Sequence, residues 1–118
     1  MTNKKDHVWK IGEDAAKKYL EEKGYKIIEQ NYRTRYAEID IVALKDNALV
    51  FIEVRTKKGE FISPEESIDK RKLNKILLNA DNYVKIKDWK GQYRIDAICI
   101  VLNLDNSIKR LEHYKNIT

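Results

Sequence analysis

Cysteine is nearly absent from this chain of 118 residues, since Cys99 is its only one. A single cysteine excludes an internal disulfide and any zinc site built from several cysteines, and it is typical of a reducing compartment. Cys99 lies in an apolar run, so we expect it to pack in the core. The two histidines, His7 and His113, stand in polar surroundings without a second ligand at metal-binding spacing, and we expect both at the surface.

Proline and glycine are also scarce, with one and four residues respectively. No linker rich in proline, glycine or serine interrupts the sequence, and no repeat or low-complexity segment is present. We therefore expect residues 1–118 to form a single domain, long enough for one core of two or three layers.

Long hydrophobic runs are missing as well. The apolar runs are far shorter than the roughly 20 residues that cross a bilayer. Residues 1–6 are polar and charged, unlike a secretory signal. We therefore expect a cytoplasmic protein without a membrane partner.

Basic residues are in modest excess, with 24 Lys and Arg against 19 Asp and Glu and a net charge of +5. Such an excess indicates a nucleic-acid partner only where it clusters. The clusters are Arg33, Arg35 and Tyr36, then Lys57 and Lys58, then Lys70, Arg71, Lys72 and Lys75. Basic side chains beside tyrosine suit phosphate contact and base stacking, whereas solvated surface charge is the alternative.

Hydrophobic periodicity predicts an α/β fold with a mixed sheet flanked by helices. The predicted elements are a helix over 8–23, a strand over 25–32, a hairpin over 38–55, a helix from 69 to about 87, a strand over 92–101 and an edge strand over 107–113. Ser63 and Pro64 are expected to begin a helix, with Glu66 completing a capping box. Asp96 interrupts the strand over 92–101, and a buried carboxylate there requires a partner.

The hairpin places acidic residues on one face. A two-residue turn at Asp46 and Asn47 puts Asp40 opposite Glu53 and Glu38 opposite Arg55. Strand alternation gives these four side chains one face together with Val42, Leu44, Leu49 and Phe51, and gives Ile39, Ile41, Ala43, Val50, Ile52 and Val54 the other.

Two carboxylates facing each other beside apolar side chains repel unless a cation lies between them. Glu38, Asp40 and Glu53 are therefore candidate ligands for one or two Mg²⁺ or Mn²⁺ ions, which bind carboxylate oxygens. Such ions lower the pKa of bound water and neutralise charge on a phosphate, so the constellation suits phosphodiester hydrolysis. A solvated strand face with scattered charges is the alternative. Glu13 borders the apolar stripe of the first helix and is either part of this group or an exposed helix-start carboxylate.

The motif Asp40, a spacer and Glu53-Val54-Arg55 resembles the PD-(D/E)xK motif of the restriction-endonuclease-like superfamily. More closely, the chain resembles the YraN family, predicted bacterial endonucleases related to archaeal Holliday junction resolvases. The matching segments are Gly12-Glu13, Gly24-Tyr25, Asn31-Tyr32-Arg33, Glu38-Ile39-Asp40, Val50 to Arg55, Pro64-Glu65-Glu66, Lys72 and Arg94-Ile95-Asp96.

This resemblance implies a restriction-endonuclease-like fold, with a four-stranded mixed core sheet flanked by helices. It implies Asp40 and Glu53 as metal ligands, with Glu13 and Glu38 as auxiliary acids and Glu13 as a further candidate ligand. Because junction resolvases cut two symmetric strands as dimers, it also implies a homodimer.

Two residues depart from the pattern. Arg55 replaces the lysine of the motif, and an arginine stays protonated, so it can stabilise a transition state but cannot deprotonate water. Lys57 or Lys72 would then supply the ammonium group. Ala37 stands where relatives carry glycine, a change that matters only if the backbone there needs a positive φ.

Three functions are compatible with these residues. The first is a metal-dependent endonuclease that acts on DNA, with branched structures such as Holliday junctions among its substrates. The second is a non-catalytic nucleic-acid-binding module on a nuclease fold, with Arg55 marking lost chemistry. The third is an interaction protein in which the acids are structural.

Overall fold

The computed structural model describes residues 4–59 and 63–118. Its elements are α1 (Lys4–Glu22), β1 (Lys26–Arg33), β2 (Glu38–Lys45), β3 (Ala48–Lys58), a 3₁₀ turn (Pro64–Ser67), α2 (Lys70–Ile86), β4 (Gln92–Leu102) and β5 (Ile108–Tyr114). The predicted order of helices and strands is confirmed. The first helix begins four residues earlier than its apolar stripe indicated.

The strands form one five-stranded sheet in the order β1-β2-β3-β4-β5. β3 and β4 are parallel, and the other neighbours are antiparallel. A parallel pair needs a crossover, which α2 supplies between β3 and β4. The predicted α/β architecture with a mixed sheet is confirmed and is consistent with a restriction-endonuclease-like domain. The edge strand β5 makes the sheet one strand wider than the resemblance implies.

The helices cover opposite faces of the sheet. Ala16 and Leu20 of α1 pack in a cluster with Ile41, Ile52 and their neighbours. The predicted stripe of α2 packs on the other face against a cluster that contains Val42, Leu49, Phe51 and Ile95. Cys99 is fully buried, as expected. Because the middle strands are covered on both sides, their sequences are almost continuously apolar.

The predicted register of the β2–β3 hairpin is confirmed from Lys45–Ala48 to Ile41–Ile52. Asp46 and Asn47 make the turn with φ angles of 49° and 65°, as a tight hairpin requires. Beyond Ile41–Ile52 no pairing between the two strands continues, and the Val54 N–H donates to Asp40 Oδ2 at 2.8 Å. The two strands therefore separate where the acidic residues lie.

Because the strands separate, Ile39 lies on the opposite face of the sheet from the one predicted. Ile39 was expected beside Ile41 and Ala43, but it packs in the opposite cluster with Val42 and Phe51. Alternation of side chains holds only while a strand stays in a regular ladder, and β2 leaves its ladder with β3 at this point.

The predicted capping box at Ser63 is wrong. Pro64 does occupy the first helical position, but the Ser63 side chain makes no cap and instead donates to Glu65 Oε1 at 2.7 Å. The segment is a single 3₁₀ turn of four residues, which is too short for the two reciprocal hydrogen bonds of a capping box. The longer helix, α2, is capped by Asp69, which accepts from the Lys72 N–H at 2.9 Å.

Asp96 has the partners that its burial requires. It is fully buried and accepts from Arg94 Nε at 3.0 Å and from the Asn116 N–H at 2.9 Å, and its Oδ2 lies 2.8 Å from His113 Nε2. The expectation of a surface His113 is therefore wrong, because its side chain is 4% exposed and its Nδ1 lies 3.1 Å from the Tyr19 hydroxyl. The side chain of His7 lies outside the described residues. This network joins β4 and β5 to α1.

Gly12 allows α1 to lie directly on β3. A Cβ at this position would overlap the Thr56 side chain, with Thr56 Cβ only 2.7 Å away. Any larger residue would push the helix off the sheet, and Glu13 is the next residue of that helix.

No helix among the described residues is long and apolar enough to cross a membrane.

We expect Gly12→Ala to lower the free energy of unfolding by about 1–3 kcal/mol, because the added methyl group overpacks the contact with Thr56. Helix propensity alone predicts the opposite sign, a gain of about 1 kcal/mol. Chemical denaturation measures the difference, with Asp14→Ala on the exposed side of α1 as a control. A more stable Gly12→Ala variant would contradict the close packing.

We expect Asp96→Asn to lower the free energy of unfolding by about 3–5 kcal/mol at neutral pH, because it breaks a buried ion pair. Hydrogen bonds from His113, Arg94 and Asn116 outweigh the effect of burial and hold the pKa of Asp96 below its usual value. A depressed pKa contributes stability above the unfolded value of about 3.9, and this contribution is lost as the pH falls through the folded pKa.

Denaturation of the wild type and Asp96→Asn between pH 3 and pH 7 tests this sign. The wild type should lose stability more steeply than the variant below about pH 5. The exposed Asp88→Asn serves as the control, with an expected change within about 0.5 kcal/mol. Parallel pH profiles for wild type and Asp96→Asn would contradict the assignment.

Candidate functional site

A cavity of about 540 Å³ opens where β2 and β3 separate, between the N-terminal part of α1 and the start of α2. Its lining includes Trp9 from α1, Glu38 and Asp40 from β2, Glu53 and Arg55 from β3, and Arg71, Lys72 and Lys75 from α2. Strand separation thus makes room at one end of an otherwise closed sheet. The cavity combines acidic residues on the sheet with basic residues on the helix.

Three carboxylates meet at this point. Glu13, Glu38 and Asp40 each offer an oxygen atom, and these atoms lie within 4.8 Å of one another. Glu13 is 3% exposed and Asp40 is 6% exposed. The structure therefore brings Glu13 into the acidic group and does not leave it as an exposed helix-start carboxylate.

Glu53 adjoins this group through Asp40. Burial is the largest cause that raises the pKa of Asp40 well above its usual range, followed by the hydrogen bond with Glu53 and the negative charge of that residue. The backbone N–H of Val54 acts in the opposite direction. Burial also raises the pKa of Glu13, with the charge of Glu38 as a smaller contribution. The acids are thus packed more closely than their own charges favour.

Asn31 holds two of these acids together. Its side-chain amide lies 3.0 Å and 3.2 Å from the two Glu13 oxygens and 2.9 Å from Glu38 Oε1. Its backbone has a φ of 53°, within a strand, which is strained for a residue other than glycine. Sequence reasoning gave Asn31 no role in the site, because an asparagine before Tyr-Arg carries no signal of its own.

Basic side chains balance part of the acidic charge. Arg33 donates to Glu38 Oε2 at 2.9 Å, and Arg55 donates to Glu53 Oε2 at 2.8 Å. The Arg55 Nε is buried and has no hydrogen-bond partner among the described residues, although the side chain as a whole is 22% exposed. The predicted opposition of Glu38 and Arg55 is not formed, since each has another partner.

The two candidate lysines, Lys57 and Lys72, line different cavities. Lys72 lines the cavity, and its pKa is lowered by burial and then by the charge of Arg55, while Glu53 and Asp40 raise it. Lys57 and Lys58 line a neighbouring depression of about 420 Å³. Of the two candidates, Lys72 is the one that lines the cavity of the acids, as does Lys75.

The remaining predicted nucleic-acid contacts are divided. Arg71 and Tyr36 line the cavity itself, and Arg35 lines an adjoining depression of about 500 Å³. Lys70 lies elsewhere, beside an apolar cavity of about 370 Å³ that includes Cys99. Trp9 was missed, although it precedes Glu13 by four residues and helical spacing places both on the same face.

The donor set fits a hard divalent cation. Its ligand atoms are all carboxylate oxygens, which Mg²⁺ and Mn²⁺ prefer, and no cysteine or histidine joins the group of three acids. The surrounding cations suit a phosphate group, because arginine and lysine donate to its oxygens. The acidic group could thus hold a metal ion, with basic side chains lining the same cavity.

We expect Asn31→Ala to destabilise the protein by about 2 kcal/mol or more, because it removes the amide from the acids and because alanine tolerates a positive φ less well than asparagine. Asn31→Gly removes the same amide without that backbone strain, so it should cost less. Denaturation in EDTA measures both variants. Wild-type stability in the two variants would show that the amide does not hold the acids.

Comparison with known proteins identifies the family to which this chain belongs. The model of the uncharacterised protein family UPF0102 matches residues 12–100. A UPF0102 protein of Fervidobacterium nodosum is 42% identical over 115 residues, covering 98% of this chain and 83% of that protein. A second, from Pelotomaculum thermopropionicum, is 37% identical over 118 residues and covers 98% of both chains. The chain therefore belongs to the UPF0102 family, the YraN-like proteins that its sequence resembles.

Proposed function

We propose that the protein is a Mg²⁺- or Mn²⁺-dependent endonuclease that hydrolyses phosphodiester bonds in DNA, with branched structures such as Holliday junctions as substrates. The observation that carries the proposal is the group of three carboxylates, Glu13, Glu38 and Asp40, whose oxygens lie within 4.8 Å of one another beside a basic cavity wall. Placement in the PD-(D/E)xK superfamily, on Asp40 and Glu53-Val54-Arg55, is part of the same proposal.

Asp40 and Glu13 hold the metal ion in this proposal, together with Glu53 on the neighbouring strand. Glu38 is the auxiliary acid, since it shares Asn31 with Glu13 and is paired with Arg33. When bound, the ion lowers the pKa of a water ligand and neutralises charge on the scissile phosphate. Asn31 keeps Glu13 and Glu38 oriented, and Val54 keeps Asp40 oriented through its N–H.

Arg55 and Lys72 stabilise the transition state. Arg55 stays protonated and pairs with Glu53, and the exposed part of its side chain, 22% of the surface, faces the cavity where a phosphate would lie. Lys72 approaches from α2 and lines the same cavity, where its ammonium group would donate to a phosphate oxygen. The motif's lysine is thus replaced by two residues, a fixed cation on β3 and an ammonium group on α2.

A second candidate function is a DNA-binding module without catalysis. The observation that favours it is the Arg55–Glu53 pair at 2.8 Å, which occupies a carboxylate oxygen that the metal would use. This candidate requires DNA affinity that falls steeply with salt and does not depend on a divalent cation.

We expect Asp40→Asn to abolish Mg²⁺-dependent cleavage of a four-way DNA junction and Lys72→Ala to reduce its rate by about 10²- to 10³-fold, the usual effect of removing a group that stabilises the transition state. Lys70→Ala is the matched control, because Lys70 lies on the same helix but lines a different cavity, and its rate should fall less than tenfold. Gel assays of labelled junctions measure all three variants.

The outcomes separate the candidates. Cleavage by the wild type that is unchanged in Asp40→Asn would contradict the proposed nuclease. Salt-dependent junction binding with no cleavage in Mg²⁺ or Mn²⁺, in the wild type as in the variant, would instead support the binding module.

A further inference from the structure

The acidic cavity is the middle of a longer trough. Trp9, Val54, Arg55 and Ser67 line both the central cavity and the depression of about 420 Å³. Tyr36 lines both the central cavity and the depression of about 500 Å³ on the other side. The three depressions therefore adjoin one another, with an aromatic residue at each junction, and we call them together the trough.

Trp9 is free to receive a ligand. It is 44% exposed, and no described cation or ring packs on its indole. It stands on α1 four residues before Glu13, which is about 6 Å along the helix axis. Tyr36 is 48% exposed, but the Arg35 guanidinium lies 5.0 Å from its ring centroid and donates to its hydroxyl at 2.9 Å, so Arg35 already occupies part of its surface. The open aromatic surface of the trough is thus on the Trp9 side.

Charge distinguishes the same side. The depression beyond Trp9 is lined by Lys57 and Lys58 and by no described carboxylate. At the opposite end, Lys85 is paired with Asp81 at 3.1 Å, which reduces its attraction for a phosphate. A nucleic-acid backbone that leaves the acids is therefore favoured to run past Trp9 toward the two lysines.

We propose that the DNA strand is unpaired on the Lys57–Lys58 side of the acids and that one of its bases stacks on Trp9. This inference rests on the proposed nuclease function and defines the class of substrate for that site. A base inside a duplex has both faces covered by its neighbours, so only an unpaired, unstacked base can lie on an exposed indole. The substrate is then a strand end, a flap or the unpaired arm of a branched structure.

The test is binding in EDTA, where metal-dependent cleavage does not occur. A single-stranded oligonucleotide should quench the tryptophan fluorescence of the wild type but not of Trp9→Phe. The remaining Trp89 lines no part of the trough and donates its indole N–H to the Gln92 carbonyl at 2.9 Å. A blunt duplex of the same sequence should leave the wild-type signal unchanged.

Affinity provides the second measurement. Trp9→Leu should weaken binding of the labelled single strand by about fivefold or more, as expected when one stacked base is lost. Trp9→Phe keeps an aromatic face, so the fold-increase in its dissociation constant should be less than half that of Trp9→Leu. The affinity for duplex should be equal in all three proteins. This separates stacking from a general apolar contact.

Equal single-strand affinity in Trp9→Leu and the wild type, or equal quenching by duplex and single strand, would overturn the inference. If blunt duplex is still cleaved in an Asp40-dependent manner, only the unpaired-strand inference fails. If the single strand quenches Trp9 but no DNA is cleaved with Mg²⁺ or Mn²⁺, the nuclease proposal fails and the binding surface remains.

Discussion

Repulsion between buried carboxylates is the constraint on which this structure depends. Glu13, Asp40 and Glu53 are each almost fully buried, and they meet where β2 and β3 stop pairing. Burying unpaired charge is costly, so such a group persists only when other contacts hold it. The Val54 N–H and the Asn31 amide supply these contacts, and Asn31 adopts a strained backbone to do so. Strain of this kind is concentrated at functional sites.

The rest of the fold delivers side chains to this point. Gly12 lets α1 approach β3 closely enough to bring Glu13 to the acids. The crossover helix α2 starts at Asp69 and directs Arg71 and Lys72 into the cavity. The helix dipole disfavours cations at that end, whereas the neighbouring carboxylates favour them. Away from the site, the Asp96 network joins β4 and β5 to α1. That charged cluster stabilises the fold, whereas the charged residues of the candidate site line a cavity that is open to a ligand.

Much of this could be predicted from the sequence, because periodicity and turn residues act locally. The hairpin register followed from Asp46 and Asn47, and the need of Asp96 for a partner, though not the identity of that partner, followed from its place in a buried strand. The roles of Ile39 and Asn31 could not be predicted, because Ile39 changes face where the β2–β3 ladder ends and Asn31 adopts a positive φ within β1. His113 was misplaced for a related reason: its polar neighbours in sequence are not its neighbours in space, where Asp96 and Tyr19 enclose it.

The central claim is that the carboxylate group binds a divalent cation, and calorimetric titration of Mn²⁺ into the metal-free protein tests it most directly. The account predicts saturable binding of one or two ions in the wild type and in the exposed Asp14→Asn, and loss of that binding in Asp40→Asn. Binding that is equal in Asp40→Asn and the wild type, or absent from the wild type with and without a DNA junction, would contradict it.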